Sequence, residues 1–506
     1  MMIEKNIFLF VLFFLISIIC RAANYSIHNN TSTIERIVVE CDFNKKYHTI
    51  SPDLIGFNMT YSFCSDDFWL NTDIKPALKN MKTGFIRYPD GEPTSYYHWN
   101  NLNGQAYMDN WDPNYNKKND QDPKNYTDLD EYIQICRETN AKPLVGINME
   151  SGLKFNRVQD GIEEAKALVQ YCLDNNYNVK HYFLDNESYH RGTHYRMTVD
   201  QYIEQVKLYA PELKKINPEI KLIVNWEIDL HSRQFWKLLT QTFHLIDYID
   251  VHWYWSWGNS TFIKWFNSQP MSPDNHWYKP GRTYKEEIEY FNSEAKKRGV
   301  ENVKLISLEW NLGPSENNDL APNAFQSALI QSEMLMQFMD GNMEIATLWA
   351  FFWKQKTGEP RNPFRMLMHY QTYELLSSYK MFVFLSEALN KQKCDIKTNS
   401  KAIYPLAVKS QSDSEKIIYL LNKAGSDSQV ELKAPKGNNY KLEVYSTNDA
   451  DSTSGCVKSL SCIYNDDISS YLFTIPRYSL SKLTIENRVS QNLHVSISGN
   501  DENSGV

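Results

Sequence analysis

The chain has 506 residues, of which 42% are apolar and 14% aromatic, and its formal net charge is −8 at pH 7. This length predicts two or three domains with a large buried core, although a single α/β barrel can take up about 250 residues. The negative charge argues against nucleic acid and against an anionic membrane surface as partners.

The first 22 residues predict a secretory signal peptide. Lys5 precedes an unbroken apolar run at residues 7–20, and small residues follow at Ala22 and Ala23. The run is too short to cross a bilayer comfortably, and no later stretch reaches the roughly 18 apolar residues that a transmembrane helix needs. We therefore expect a protein that is secreted, or delivered to a lysosome-like compartment, and that has no membrane association after signal cleavage.

The sequons agree with a secretory route, and the cysteines are too few to support a disulfide-rich protein. Six N-glycosylation sequons fit this route, at Asn24, Asn29, Asn30, Asn58, Asn125 and Asn259. Eight cysteines become seven without Cys20, so one thiol should be free. Cys456 and Cys462 are close enough to close a small loop, and Cys41 could pair with Cys64. So few cysteines do not make a disulfide-dense scaffold, and the core must hold the fold together.

From about residue 50 to 385, short apolar runs alternate with amphipathic helical stretches. In the stretch 163–176 the apolar residues recur at helical spacing, and Thr198 and Gln201 form a capping-box pair at the start of another helix. The predicted strands are 54–59, 84–89, 143–148, 181–186, 221–226, 248–255, 304–310 and 346–353. Strands that alternate with helices form parallel βαβ units. Eight such units, with no glycine-rich phosphate turn after the first strand, predict a (β/α)8 TIM barrel over residues 50–385 rather than an open doubly wound sheet.

A different pattern begins near residue 390. Short strands separated by turns continue to about residue 488 and predict an accessory antiparallel β-sandwich. The early strand at 35–48 precedes the barrel and is expected to join this sandwich. Residues 489–506 are predicted to form a polar tail.

In a TIM barrel, the active site is built from side chains at the carboxyl ends of the strands. The predicted strand ends supply carboxylates, amides, an arginine, a histidine and aromatic rings, from which we select Arg87, Asn148, Asn186, Glu187, His252, Tyr254, Glu309 and Trp353. No group of cysteines or histidines has the spacing of a metal site, so we expect neither a metal nor another cofactor.

Glu187 and Glu309 follow the fourth and seventh predicted strands, which lie nearly opposite each other across the barrel mouth. Glycoside hydrolysis needs one carboxylic acid to protonate the leaving oxygen and one carboxylate opposite it. A separation of roughly 5–5.5 Å gives a covalent glycosyl-enzyme and retention of configuration, whereas a wider gap admits water and gives inversion. The pair therefore predicts a glycosidase whose substrate is an oligosaccharide or polysaccharide.

Five motifs in a fixed order carry a resemblance to a known family. They are "FIRYPDGEPTSYYHW", "KPLVGINMESG", "EEAKALVQYC", "YFLDNE" and "LEWNLG", and the match covers roughly residues 50–355. In this order they resemble the family 51 α-L-arabinofuranosidases of glycoside hydrolase clan A. The resemblance implies a retaining double displacement in which Glu187 is the acid/base and Glu309 is the nucleophile.

The resemblance also implies roles for the residues beside the pair. Asn186 would bond the 2-hydroxyl of the sugar, a contact that tightens in the transition state. Arg87 would orient Glu309 and help to keep it ionised. Asn186 begins a sequon as well, but a glycan there would plug the cleft, so we predict that Asn186 is unmodified.

Four further residues are expected to contact the substrate or the nucleophile. Tyr254 would donate a hydrogen bond to the nucleophile, and His252 would line the mouth beside it. Asn148 would bind substrate, and Trp353 would provide a stacking platform for a sugar ring.

Three departures from the family pattern leave the sugar open. Asp90 stands where a second glycine is usual, and Asp185 stands where a glycine precedes Asn-Glu. The family carries a carboxylate after strand one that clasps the furanose; here no glutamate occupies that turn, and Asp66 and Asp67 are the candidates to substitute for it. The expected substrates are plant or algal polysaccharides or glycoconjugate glycans. Alternatives are a β-xylosidase, a β-glucuronidase, an agarase-like enzyme, or a carbohydrate-binding protein without catalysis.

Overall fold

The computed structural model describes residues 36–64, 66–101, 108–116, 126–190, 195–275, 277–353, 363–447 and 452–487. The predicted signal peptide at 1–22 and the polar tail at 489–506 lie outside these ranges, as do the sequons at Asn24, Asn29, Asn30 and Asn125. Within the described ranges, no helix has the length and apolarity that crossing a bilayer requires.

Eight parallel strands close into a barrel, which confirms the predicted TIM-barrel fold. In chain order, β1 (Arg36–Thr49) precedes the barrel, whose strands are β2 (Ile55–Asn58), β3 (Phe85–Tyr88), β4 (Lys142–Ile147), β5 (His181–Leu184), β6 (Lys221–Asn225), β7 (Tyr248–Trp255), β8 (Lys304–Leu312) and β9 (Ala346–Leu348). Each strand pairs with the next along the chain, and β9 pairs with β2 to complete the ring. All eight predicted strands are therefore present.

Apolar side chains fill the barrel interior at one end. A buried cluster contains Phe85, Leu144, Phe183, Ile223, Tyr248, Ile306, Leu308 and Ile345. Most of these residues lie near the amino ends of their strands. Because this end is packed, the polar side chains of the strands gather at the opposite, carboxyl end, as in other TIM barrels.

The helices cover the outside of the barrel. Those described are Asp66–Trp69, Ile74–Asn80, Leu129–Thr139, Glu150–Lys154, Val158–Asp174, Val199–Ile216, Arg233–Thr242, Phe262–Asn267, Tyr284–Lys297, Ala324–Asp340 and Ser377–Leu385. The predicted capping box forms, because the Thr198 side chain accepts from the Gln201 N–H and the Gln201 side chain accepts from the Thr198 N–H. The apolar face predicted within Val158–Asp174 is buried.

The nine remaining strands join β1 in one ten-stranded sheet beside the barrel. They are β10 (Gln392–Thr398), β11 (Ile403–Lys409), β12 (Glu415–Asn422), β13 (Ser428–Lys433), β14 (Asn439–Ser446), β15 (Cys456–Leu460), β16 (Cys462–Asn465), β17 (Ser470–Ile475) and β18 (Ser479–Glu486). Their order is β15-β14-β18-β12-β11-β10-β1-β13-β17-β16, antiparallel throughout except that β1 and β13 are parallel. Strands from both halves of this order share one apolar core, so the sheet folds onto itself as a sandwich.

Strand β12 shows how the sandwich attaches to the barrel. Ile418 and Leu420 lie in the sandwich core, whereas Ile417, Tyr419 and Leu421 join the cluster that contains the barrel helices. Because successive side chains of a strand point to opposite faces, β12 is buried on both sides. This double burial explains the unbroken run "IIYLL" in a sheet that would otherwise alternate apolar and polar residues.

The cysteines correct one prediction. The seven cysteines in the described residues are all free thiols, so both proposed pairings were wrong. Cys456 begins β15 (Cys456–Leu460) and Cys462 begins β16, so an extended strand lies between the two thiols and holds them apart. Cys41 belongs to the sandwich, whereas Cys64 is buried in the barrel cluster. Short separation along the chain is therefore a poor guide to pairing when the segment between the two residues is extended.

The sequons within the described residues also differ in exposure. Asn259 is exposed. Asn58 is fully buried, and its side-chain amide donates to the carbonyl oxygen of Leu308 at 2.8 Å. Asn186 is only 1% exposed. Burial of Asn58 and Asn186 places both sequons away from the surface at which glycans are carried, so the Asn58 sequon gives no support to a secretory route.

Candidate active site

Polar side chains at the carboxyl ends of the barrel strands surround two glutamates. Glu187 comes shortly after β5, and Glu309 lies on β8 across the mouth. One carboxylate oxygen of each glutamate and one ring nitrogen of His252 all lie within 4.8 Å of one another. The structure therefore brings together the two carboxylates that the sequence selected, with His252 beside them.

Glu309 is almost buried and is held by two donors. Arg87 Nη1 donates to Oε1 at 2.7 Å, and the Tyr254 hydroxyl donates to Oε2 at 2.9 Å. Burial raises the pKa of Glu309, whereas the positive charges of His252 and Arg87 stabilise its carboxylate. Gly91 makes this packing possible, because a Cβ atom at that position would collide with Glu309 Oε1.

Arg87 links the nucleophile candidate to the Asn-Glu pair. Its side chain is fully buried over the ring of Phe183, and its Nη2 donates to Asn186 Oδ1 at 2.7 Å. Nη1 also donates to Asn58 Oδ1 at 2.9 Å. Because Arg87 occupies the Asn186 oxygen, the Nδ2 group of Asn186 is the end left to donate to a ligand.

Glu187 is the more exposed of the two glutamates. Its side chain is 25% exposed, against 7% for that of Glu309. Tyr189 donates a long hydrogen bond of 3.4 Å to Glu187 Oε1, a contact that sequence reasoning missed although Tyr189 lies only two residues away. Glu187 is therefore the glutamate of the pair that is more open to solvent.

His252 connects Glu187 to a third carboxylate, Asp250. Its Nδ1 lies 2.8 Å from Glu187 Oε1, and its Nε2 lies 3.0 Å from Asp250 Oδ2. Burial opposes protonation of His252, but the charges of Glu309, Asp250 and Glu187 outweigh it and raise the pKa of His252 to about 10. Asp250 was not selected from the sequence. The sequence feature that could have identified Asp250 is the i, i+2 spacing in "YIDVHWYW", which places Asp250 and His252 on the same face of β7.

We expect His252 to keep its proton across neutral pH. Its folded pKa lies above the unfolded value of about 6.5, so its contribution to stability is complete below about pH 6.5 and is lost as the pH rises through about 10. In NMR titrations the ring nitrogens of His252 should keep the ¹⁵N shifts of an imidazolium between about pH 5 and about pH 8. Asp250→Asn should lower the midpoint, since it removes one of the three charges. A wild-type midpoint near the unfolded value would contradict this assignment.

The three side chains Glu187, His252 and Glu309 also have the spacing of a possible cation site. The chemistry of the donors disfavours one, because a doubly protonated imidazole has no lone pair for a metal. At neutral pH the raised pKa of His252 therefore favours an ion-pair cluster over metal ligation.

The other two selected residues have local partners. Asn148 donates to Ser151 Oγ at 2.7 Å and to the carbonyl oxygen of Tyr97 at 3.3 Å, and its Oδ1 accepts from the Ser151 N–H. Trp353 is buried, with Phe63 and Trp349 against its ring at centroid distances of 5.0 and 5.3 Å. These contacts place Trp353 in an aromatic wall beside Tyr254. Substrate contacts for Asn148 and Trp353 stay predictions.

Asp185 stands where the family pattern has a glycine, and its side chain has a structural role there. Its φ of 65° lies in the left-handed region, which aspartate tolerates better than most residues. Its carboxylate accepts from the Ser95 hydroxyl at 2.6 Å, the Asn186 N–H at 2.8 Å and the Met149 N–H at 3.2 Å. Asp185 therefore ties together the loops after β3, β4 and β5. Asp66 begins the helix Asp66–Trp69, and the side chains of Asp66 and Asp67 lie outside what the structure describes.

Comparisons with known proteins agree with this picture. No family model matches the chain. A probable α-L-arabinofuranosidase C of Aspergillus fumigatus is 26% identical over an alignment of 221 positions that covers 38% of this chain and 41% of that protein. The chain thus spans about two fifths of the length of the fungal relatives it matches. An intracellular exo-α-(1→5)-L-arabinofuranosidase of Bacillus subtilis is 21% identical over 430 residues, covering 75% of this chain and 80% of that protein.

Solved structures show the same architecture. The family 51 α-L-arabinofuranosidase of Bifidobacterium longum superposes with a TM-score of 0.69 at 12% identity, over 90% of this chain and 100% of that one. At this identity the match shows the fold alone. In sequence motifs and in fold, the chain is similar to the family 51 α-L-arabinofuranosidases of glycoside hydrolase clan A.

Proposed function

We propose that the chain is a retaining glycoside hydrolase of the α-L-arabinofuranosidase type. The observation that carries this proposal is the approach of Glu187 and Glu309, whose nearest oxygens lie within 4.8 Å. Retaining glycosidases hold their two carboxyl groups about 5–5.5 Å apart, whereas inverting ones leave about 6.5–9.5 Å for a water molecule. The arabinofuranosidase relatives support the choice of sugar.

The first step forms a glycosyl-enzyme. Glu309 attacks the anomeric carbon while Glu187 gives its proton to the departing oxygen, so the glycosidic bond breaks without releasing a free alkoxide. Arg87 and Tyr254 hold both oxygens of Glu309 and fix the direction of attack. Asn186, whose Oδ1 accepts from Arg87, would donate from its Nδ2 group to the 2-hydroxyl.

The second step reverses the roles. Glu187, now ionised, takes a proton from water, and the resulting hydroxide attacks the anomeric carbon and releases the Glu309 carboxylate. The exposed position of Glu187 gives water access to it. The His252 imidazolium lies beside both glutamates and Asp250, so it offsets the charge of Asp250 together with that of whichever glutamate is ionised in each step.

Secretion belongs to the same proposal. The predicted signal peptide at 1–22 would direct the protein to the cell exterior or to a lysosome-like compartment. There it would act on plant or algal polysaccharide or on glycoconjugate glycans. Detection of the mature N-terminus near residue 23 in culture medium would test this part.

A panel of aryl glycosides tests the activity itself. The α-L-arabinofuranoside should be hydrolysed with a higher kcat/KM than the β-xyloside, β-glucuronide or β-galactoside, and NMR of early product should show the anomeric configuration of the substrate. Early inverted product would exclude double displacement. Preference for another of these sugars would contradict the choice of arabinofuranose and would leave the glycosidase assignment in place. Binding of oligosaccharide without any hydrolysis would establish the carbohydrate-binding alternative instead.

A further inference from the structure

Asp90 is a buried carboxyl group beside the nucleophile, and the proposed mechanism assigns it no role. It is 0% exposed, and its φ of 140° lies in the half of backbone space that favours glycine. It directly precedes Gly91, which packs against Glu309 and Trp349. Its carboxyl group interacts electrostatically with both Glu309 and Arg87. Asp90 therefore borders the same space as the nucleophile.

The two oxygens of Asp90 have different surroundings. The Thr60 hydroxyl donates to Oδ2. Oδ1 is buried, and no described residue donates a hydrogen bond of good geometry to it. Burial raises the pKa of Asp90 to about 8, against the opposing effects of the Thr60 hydroxyl, the Arg87 charge and the nearby Gly91 N–H. A buried oxygen without a well-aligned donor and a glycine-type backbone at one residue are both unfavourable, and such costs concentrate at functional sites.

The position of this carboxyl group is decided by neighbouring strands. Asp90 follows β3, but its partner Thr60 follows β2, and the two segments stay paired because Met59 N–H donates to the Arg87 carbonyl and Tyr61 N–H donates to the Pro89 carbonyl. Residues 56–64 contain no aspartate or glutamate of their own. The Asp90 carboxyl group therefore lies at the turn after the first barrel strand, although Asp90 itself follows the second barrel strand.

We propose that Asp90 is a specificity-determining residue whose Oδ1 binds a hydroxyl group of the sugar held against Glu309. The proposal rests on the proposed function and deepens it. Low exposure does not oppose such a contact, because Arg87 and Asn186, at 0% and 1% exposure, line the same deep end of the site. Since Asn186 is assigned to the 2-hydroxyl, the hydroxyl for Asp90 is one of those on carbon 3 or carbon 5 of an arabinofuranose ring.

Deoxy substrates give a readout that a purely structural role would not move. A site built to bond a hydroxyl strongly rejects the analogue that lacks it, because a buried polar group is then left unpaired. We expect the wild type to prefer the parent arabinofuranoside over either the 3-deoxy or the 5-deoxy analogue by at least about 100-fold in kcat/KM. Asp90→Gly, which suits the backbone at this position, and Asp90→Asn should both reduce that ratio to less than about 10-fold.

Thr60→Val is the matched control. It removes the donor to Oδ2 and leaves the Asp90 carboxyl group in place, so the parent-to-deoxy ratio should stay close to that of the wild type. Equal loss of selectivity in Thr60→Val and Asp90→Gly would assign the effect to the loop and overturn the proposal. A wild-type ratio retained by Asp90→Gly for both deoxy analogues would also overturn it.

Binding measurements separate this proposal from the proposed function. Calorimetry of the parent and deoxy glycosides on Glu187→Gln, with and without Asp90→Gly, gives the same comparison without turnover. A wild type that hydrolyses nothing, together with selective binding that depends on Asp90, would overturn the proposed activity and support the present inference. Absence of any sugar binding would overturn both.

Discussion

Replacing Glu309 by glycine should lower kcat by at least about 10⁴-fold, because the proposed covalent intermediate cannot form without its carboxylate. The same change leaves Arg87, which is fully buried, without its charged partner. We therefore also expect a loss of about 3 kcal/mol in the free energy of unfolding, measured by denaturant titration. Glu309→Gln preserves the shape of the side chain and separates the loss of the nucleophile from the cavity that glycine leaves.

Rescue by azide makes the Glu309 result specific for a nucleophile. In Glu309→Gly the cavity admits azide, which attacks from the side that Glu309 occupied and gives a glycosyl azide of inverted configuration. Product of retained configuration, or near-wild-type activity without azide, would show that Glu309 is not the nucleophile. NMR of the isolated glycosyl azide distinguishes these cases.

Replacing Glu187 by glutamine should have an effect that depends on the leaving group. General acid catalysis contributes about 10²–10⁴-fold when the leaving oxygen must be protonated, so oligosaccharides should lose that much in kcat/KM. A dinitrophenolate leaves without a proton, and its first step should be almost unaffected. A plot of kcat/KM against leaving-group pKa should therefore be steeper for Glu187→Gln than for the wild type.

Tyr189→Phe is the matched control for Glu187. The Tyr189 hydroxyl donates a long hydrogen bond of 3.4 Å to Glu187, so its removal should change the slope little. If Glu187→Gln slowed every aryl glycoside equally, the acid/base would have to be another residue.

Local patterns along the chain were sufficient to predict the barrel and most of the residues at its mouth. Strand and helix periodicity located all eight barrel strands, because each βαβ unit is built from contacts close in sequence. Once the strands were placed, their carboxyl ends selected Arg87, Glu187, His252 and Glu309, and these side chains do meet. The rule works because closing a parallel barrel brings every strand end to one face.

Patterns along the chain failed where the role of a residue depends on which side chain it contacts in the folded protein. The predicted pairing of Cys456 with Cys462 was wrong because the segment between them forms the extended strand β15 instead of a tight loop. Asp250 was overlooked because a charged residue within a buried strand has a meaning only when its partner is known. Here the partner is His252, at 3.0 Å.

The stretch 181–190 and Asp90 show most clearly which features follow from the sequence and which depend on the tertiary structure. By itself, the sequence determined the barrel, the accessory sandwich and the pair Glu187 and Glu309, since these follow from periodicity and from strand ends. Only the tertiary structure decided that Asp185 turns inward to three loop donors and that Asp90 reaches the turn after β2 to meet Thr60. The physical reason is that hydrogen bonds and charge interactions depend on distances across the barrel, which are set only when the strands close the ring.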